Sequence, residues 1–175
     1  MNIRRALSRL VLTAHIITSV GWLGAVMAYL ALDIVASASE DIAAVRAAYF
    51  GMDLSIRLVI VPLAIASVLI GTVNALTSSW GLFRHYWVLV KLLLTIFATV
   101  ILLLEVQNVT YMAELASTSA DPRTLPGSLL HSIGGLVVLI TVAVLSVYKP
   151  KGLTPRGWRK QLRSNGGAVQ RTSDA

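Results

Sequence analysis

The sequence predicts an all-α polytopic membrane protein, a bundle of four transmembrane helices with both termini in the cytoplasm. Of the 175 residues, 56% are hydrophobic and only 13% are charged, whereas soluble domains carry roughly 25% charged residues. Four apolar stretches are each long enough to cross a bilayer, which takes about 20 residues. The excess of basic residues, a net charge of +7, falls almost entirely on one side of those stretches.

The four predicted spans lie at residues 10–35, 54–76, 86–106 and 129–148. They lack the alternation of a half-buried strand, and lipid requires internally bonded backbone, so helices are favoured. The first span exceeds the apolar core of a signal peptide, about 7 to 15 residues. We therefore expect it to be retained, although Ala36-Ser37-Ala38 resembles a cleavage site.

Two further features concern how these helices pack. Pro62 predicts a kink near residues 58–62 of the second span. Small residues at fourfold spacing predict close helix contacts. They are Gly21 with Ala25, Gly24 with Ala28, Ser67 with Gly71 and Ala75, and the group Ser128, Ser132, Gly134 and Gly135.

Charge placement predicts the orientation. Twelve of the 15 Lys and Arg residues lie at one end of the spans or in the tails on that side, and the others are Arg46, Arg57 and Arg123. The positive-inside rule then places both termini and the loop at residues 77–85 in the cytoplasm.

The chain divides into a transmembrane domain, residues 1–150, and a basic cytoplasmic tail, residues 151–175. Such a tail is attracted to anionic lipid headgroups. No nucleic-acid partner is expected, because no reading motif accompanies the basic residues.

Polar residues inside the spans form the candidate site, because ionisable groups in a membrane are costly and usually face the bundle. Depth sorts them into two layers. The inner layer contains His15 and Lys91, with Ser19 and Trp22 on the same face of the first span. The outer layer contains Asp33, Asp53, Arg57, Glu105 and His131.

Each of these residues also has a structural interpretation. Lys91 can extend to the cytoplasmic surface, His15 can be a bonded core histidine, Arg57 and Asp53 can form an ion pair at the boundary, and His131 can be a capped interfacial residue. One histidine per layer leaves no histidine pair for haem within one chain. With no Cys, the three histidines predict no metal site. Ligation by His15 with Lys91, a Met or a histidine of a second chain stays open.

Three local motifs resemble a broad group of bacterial four-helix inner-membrane proteins. They are His15 followed by Trp22-Leu23-Gly24, then Trp87-x-x-x-Lys91-Leu92-Leu93-Leu94, and finally Tyr148-Lys149-Pro150. The group includes an uncharacterised predicted integral membrane family, the membrane part of copper-resistance D proteins and the J-type protoporphyrinogen oxidases. The resemblance spans residues 10–150, and Trp80-Gly81-Leu82 is most similar to the uncharacterised family.

In the J-type oxidases a first-helix His and a third-helix Lys are linked to haem b binding. By position, the resemblance implies that role for His15 and Lys91, with haem b as the cofactor. Those oxidases place Arg and a further His after the first helix, where this chain reads Leu30-Ala31-Leu32-Asp33. The departure does not match porphyrinogen oxidation and leaves haem or tetrapyrrole binding as the expectation.

Three function classes follow. The first is a redox or tetrapyrrole-binding membrane protein that uses His15 and Lys91. The second is a small dimeric transporter, in which His15, Ser19, Trp22, Tyr29 and Asp33 line a polar path. The third is a non-catalytic partner or assembly subunit, working as a homodimer or in a membrane complex. No catalytic residue is assigned, because the chain carries no G-x-S-x-G, H-E-x-x-H or P-loop pattern.

Overall fold

The chain folds almost entirely into helices. A computed structural model describes residues 3–77, 85–148, 152, 154, 155 and 158, and about 91% of these are helical with no strand among them. The elements in chain order are α1 (Ile3–Ala38), α2 (Ile42–Ser55), a π-helical turn (Ile56–Ile60), α3 (Val61–Thr77), α4 (Tyr86–Thr118), a 3-10 turn (Pro122–Thr124) and α5 (Leu129–Tyr148). The all-α prediction is confirmed.

Four continuous helices are long and apolar enough to cross a membrane. They run over Ala6–Ala38, Ile42–Thr77, Tyr86–Thr118 and Leu129–Tyr148. The second consists of α2, the π turn and α3, joined end to end, and it begins where the Asp41 side chain caps the Ala43 amide at 2.9 Å. Three predicted spans therefore lie inside longer helices, and the fourth coincides with α5.

The helices form a ring of four. α1 packs against α2, α3 and α5, and α4 packs against the same three helices. Each long helix thus contacts its neighbours in the sequence, and the first and last close the ring. This is an up-and-down four-helix bundle, whose facing helices can build a site in the interior.

A π-helical turn interrupts the second long helix just before Pro62. Proline has no amide hydrogen, so Pro62 cannot complete the helical bond to the Leu58 carbonyl. The preceding amide, that of Val61, bonds to the Ile56 carbonyl five residues back, whereas an α-helical amide bonds four residues back. The irregularity predicted near residues 58–62 takes the form of this single π turn.

The core is small, and large apolar side chains remain exposed on every long helix. The buried apolar residues include Trp22, Val26, Tyr29, Val45, Met52, Ile56, Ile60, Ala64, Val109 and Leu139. Exposed examples are Ile17, Leu58, Leu69, Leu93, Leu104 and Val137. Soluble monomers rarely expose apolar patches this extensive, whereas lipid tails would cover them.

Only some of the small residues predicted at helix contacts lie at contacts within this chain. A Cβ built on Gly21 would lie 3.4 Å from Leu63, and one built on Gly71 would meet His15. A Cβ on Gly24, Gly134 or Gly135 would meet no atom within 4 Å. The regular spacing of small residues alone does not distinguish a helix contact within the chain from an exposed helix face.

Loop residues 78–84 and the predicted basic tail, apart from residues 152, 154, 155 and 158, lie outside the described residues. The lipid contacts predicted for that tail fall on residues of which nothing is described. The Gly152 carbonyl accepts a bond from the Tyr86 amide at 3.3 Å, so this point of the chain contacts the start of α4.

Candidate functional site

The inner end of the bundle holds His15 of α1 against α3. The Ser19 hydroxyl, one turn after His15, lies 3.5 Å from His15 Nδ1 and 2.8 Å from the hydroxyl of buried Ser67. The ring also faces Gly71, where a Cβ would lie 2.6 Å from His15 Cε1. His15 itself is half-buried, so it is part of the interior and still accessible.

Lys91 lies in α4, which packs against α3, the helix that His15 faces. It is half-buried, and its charge acts on the His15 ring. Within residues 3–77 and 85–148, no carboxylate lies within 4.0 Å of the Lys91 ammonium group. The structure thus brings together the two residues predicted for the inner layer. We call His15, Ser19, Ser67, Gly71 and Lys91 the inner cluster.

The inner cluster can be tested for its fit to a haem. No group of three or more His, Cys, Asp or Glu residues converges in the described part of the chain, and His85 precedes α4 while His131 lies in the first turn of α5. A tetrapyrrole would meet one imidazole and one amine, not a histidine pair. The imidazole is held against α3, whereas the amine has no acidic partner there. The residues therefore fit the carboxylate side chains of a tetrapyrrole better than they fit two axial ligands of its iron.

The interior between the inner cluster and the outer end is apolar. Trp22 is only 3% exposed and packs into the core between Ser19 and Tyr29. The buried hydroxyls nearby belong to α4, and Thr99 donates to the Thr95 carbonyl of its own helix at 2.9 Å. The polar stripe predicted along α1 is therefore interrupted by apolar packing, which does not favour a polar path through a single chain.

Asp33, predicted in the outer layer, joins α1 to the start of α5. Its carboxylate is fully buried and accepts three bonds, from the Ser128 amide at 3.1 Å, the Ser128 hydroxyl at 3.0 Å and the Ser132 hydroxyl at 2.7 Å. Because the Ser128 hydroxyl donates to Asp33, it accepts from the Tyr29 hydroxyl, 3.3 Å away. Asp33 is thus a negative charge at a helix N-terminus, a favourable placement.

Asp53 joins α2 to α4. It is 4% exposed, forms an ion pair with Arg57 one turn later and accepts a 2.8 Å bond from the Thr110 hydroxyl of α4. The Arg57 side chain remains 49% exposed. The pair matches the interpretation as a boundary ion pair, with an inter-helix bond added on the buried side.

Glu105 and His131 join α4 to α5 at the same end. His131 Nδ1 lies 3.7 Å from Glu105 Oε1, and the Asn108 amide donates to Glu105 Oε2 at 3.1 Å. Glu105 is mostly buried, whereas His131 is half exposed. The outer layer is therefore three separate inter-helix contacts around Asp33, Asp53 and Glu105.

Side chains beyond this layer fasten the segment between α4 and α5. The Arg46 guanidinium donates to the Ala116 carbonyl at 3.2 Å and the Ser119 carbonyl at 2.6 Å, which places a cation at the C-terminus of α4. In the segment itself, Arg123 pairs with Asp121 and Glu40. Its side-chain bond lowers the pKa of Asp121 to about 2, and the same carboxylate raises the pKa of Arg123.

Sequence reasoning missed the partners of the predicted residues. Ser67, Gly71, Ser128 and Ser132 were assigned to helix packing, and Thr110 was not singled out. One signal was available, because Ser128 follows Pro126-Gly127 and serine there is typical of a helix N-cap. No comparable signal marks Gly71 as the partner of a histidine.

Comparison with known proteins gave no match to a family model, a curated protein or a solved structure.

Proposed function

We propose that this chain is a small four-span protein of the bacterial cytoplasmic membrane that binds haem or another tetrapyrrole at its inner cluster, through Lys91 and His15. One observation carries the proposal of a ligand. A half-buried lysine lies near a half-buried histidine, and the described residues provide no carboxylate to balance it.

Membrane insertion is supported by the spacing of the polar residues along α1. Asp33 and His15 are separated by about 27 Å at 1.5 Å per residue, close to the roughly 30 Å hydrocarbon core of a bilayer. Large apolar side chains are exposed between these levels, among them Val20 and Met27. The two polar layers thus match the two edges of a bilayer.

The orientation is supported by where basic side chains find partners. Arg46, Arg57 and Arg123, the three on the opposite side, each contact carbonyl or carboxylate oxygens at the outer end. Most of the remaining basic residues lie in the tails and the inner loop. The positive-inside rule therefore places both termini in the cytoplasm.

The ligand class is the one that the family resemblance implies, and charge and depth support it. A tetrapyrrole has an apolar ring and carboxylate side chains, and the inner cluster has a cation beside apolar helices at the level where lipid meets the cytoplasm. Charge-assisted bonds to carboxylates are the stronger kind. A haem would supply its own redox chemistry when bound, and the chain would orient and enclose it.

The test is a haem titration of the detergent-purified protein, followed by absorbance. We expect the wild-type protein to give a saturable change in the Soret band. Lys91→Gln and His15→Gln should each weaken binding by about tenfold, or about 1.4 kcal/mol. His131→Gln is the matched control, because it removes a half-exposed histidine from the opposite end. Absence of a saturable change with wild-type protein would overturn the proposal, as would equal binding by Lys91→Gln.

The second candidate is a non-catalytic partner or assembly subunit. It is favoured by Gly24 of α1 and Gly134 of α5, which leave room for close approach by another helix on adjacent helices of the ring. Gly24→Leu with Gly134→Leu should then abolish the larger species, a homodimer or a mixed complex, in size-exclusion chromatography with light scattering. A wild-type protein that is monomeric and recovered without a stoichiometric partner would contradict it.

A further inference from the structure

The His15 ring of α1 occupies the space beside Gly71 of α3 that a side chain at that position would fill. A Cβ on Gly71 would lie 2.6 Å from His15 Cε1, 3.1 Å from Nδ1 and 3.3 Å from Nε2. Real Cβ atoms essentially never approach within 3.0 Å of another heavy atom. Any side chain at position 71 would therefore displace the ring.

Two serine hydroxyls fix the same ring from the side. Ser19 lies within hydrogen-bonding distance of His15 Nδ1 and is bonded in turn to Ser67 of α3. Ser67 is 3% exposed, and its backbone also interacts with His15. The His15 ring thus lies beside the hydroxyl pair of Ser19 and Ser67 and fills the space left by Gly71, on the side of α1 that faces α3.

We infer that Ser19, Ser67 and Gly71 form a notch that positions His15 relative to Lys91, so that two residues of α3 belong to the ligand site. The inference rests on the proposed function for the identity of the ligand. The three are positioning residues, because they act on the ligand through His15. Supporting groups of this kind orient the residues that bind a ligand.

The competing explanation is that Gly71 serves only helix packing. Alanine is the better helix former, so Gly71→Ala should stabilise the protein wherever the space above it is free. If Gly71 serves only helix packing, Gly71→Ala should have the same effect with and without His15, whereas the notch predicts that the effect changes sign when the ring is removed.

The experiment is a double-mutant cycle of Gly71→Ala with His15→Ala, measured by thermal unfolding in detergent without ligand. We expect Gly71→Ala to lower the melting temperature when His15 is present and to raise it in the His15→Ala background. Failure of Gly71→Ala to fold, with recovery in the double variant, would equally support the notch. The same shift in both backgrounds would overturn it. Gly135→Ala is the matched control, because its Cβ meets no atom within 4 Å.

A second readout distinguishes positioning from general stability. In protein labelled with ¹⁵N-histidine, Ser67→Ala and Gly71→Ala should shift the His15 ring resonances and leave those of His131 in place. Haem binding should weaken by about tenfold, the lower end of the effect of losing a supporting partner. Unmoved His15 resonances would contradict the notch. Absent haem binding with intact coupling between positions 15 and 71 would overturn only the proposed ligand.

Discussion

Asp33 Oδ2 accepts a 2.7 Å hydrogen bond from Ser132 Oγ across the interface between α1 and α5. The Ser128 amide and hydroxyl complete the coordination of the carboxylate, which is 0% exposed. A buried carboxylate is tolerated when donors satisfy it. One acidic side chain therefore joins the first and last helices of the ring through three hydrogen bonds.

Removing Asp33 should weaken the contact between α1 and α5. Asp33→Ala leaves the Ser128 amide and hydroxyl without their acceptor, whereas the Ser132 hydroxyl can still donate to the Leu129 carbonyl. Each unsatisfied buried group costs about 1–3 kcal/mol. We expect a loss of about 2–4 kcal/mol in the free energy of unfolding, measured by SDS titration in mixed micelles. Ser132→Ala should cost less, about 0.6 kcal/mol, as is usual for one bond between membrane helices.

The control for this series is Glu114→Gln, a change at an exposed carboxylate of α4. It should change the free energy of unfolding by less than about 0.5 kcal/mol. Equal stability of Asp33→Ala and Glu114→Gln would contradict the role assigned to Asp33.

Removing Arg57 should cost more than removing Asp53, although the two form one ion pair. Asp53→Ala removes both the pair and the bond from Thr110, but leaves Arg57 half exposed, where solvent or lipid headgroups can accept its bonds. Arg57→Ala leaves the Asp53 carboxylate, which is 4% exposed, without its cation, and only Thr110 still donates to it. In the free energy of unfolding, loss of Asp53 should cost about 1 kcal/mol through one inter-helix bond and a half-exposed pair, and loss of Arg57 about 2–3 kcal/mol through the unpaired buried carboxylate.

The comparison is a double-mutant cycle of Asp53→Ala with Thr110→Val. A coupling energy near zero between these positions would contradict the α2–α4 bond. A coupling of about 0.6 kcal/mol is expected from membrane-protein cycles.

The four helices could be predicted from the sequence because apolar runs are a local property of the chain. The helix ends at Ile42 and Thr118 could not be predicted, because hydropathy shows only where the apolar sequence stops. The helix capped by Asp41 and the helix that ends at Thr118 both continue past those points. Additional helical turns with polar residues precede Asp53 in α2 and follow Thr110 in α4.

Candidate residues for the site could be chosen from the sequence, but the side chains that they contact could not. A rise of 1.5 Å per residue is enough to assign His15 and Lys91 to one depth. The rotation of α3 decides which of its small residues meets His15, and that rotation is set by packing against α1 and α4. Gly71 therefore carries no signal in the sequence that separates it from Gly24.

The Asp121 carboxyl group should titrate far below the usual range. The side chain of Arg123 lowers its pKa to about 2, so the contact is fully formed above about pH 3.9, the ordinary pKa of aspartate. It is lost as the pH falls through about 2. Carbon-detected NMR of labelled carboxyl groups measures this directly, and Arg123→Gln should return the pKa towards its ordinary value. Arg46→Gln is the control, since Arg46 bonds to the Ala116 and Ser119 carbonyls. An Asp121 pKa unchanged by Arg123→Gln would refute the assignment.

The proposed orientation can be tested without background labelling, because the chain contains no cysteine. Ser117 lies in the last turn of α4 and Thr77 ends α3 at the opposite end of the bundle, and both are exposed. In intact cells with a permeable outer envelope, a membrane-impermeant maleimide should label Ser117→Cys and leave Thr77→Cys unlabelled. Lysis of the cells should make the two equally reactive. Labelling of Thr77→Cys alone before lysis would invert the orientation. Labelling of neither variant after lysis would mean that these positions are covered, and would contradict their exposure at the two ends of the bundle.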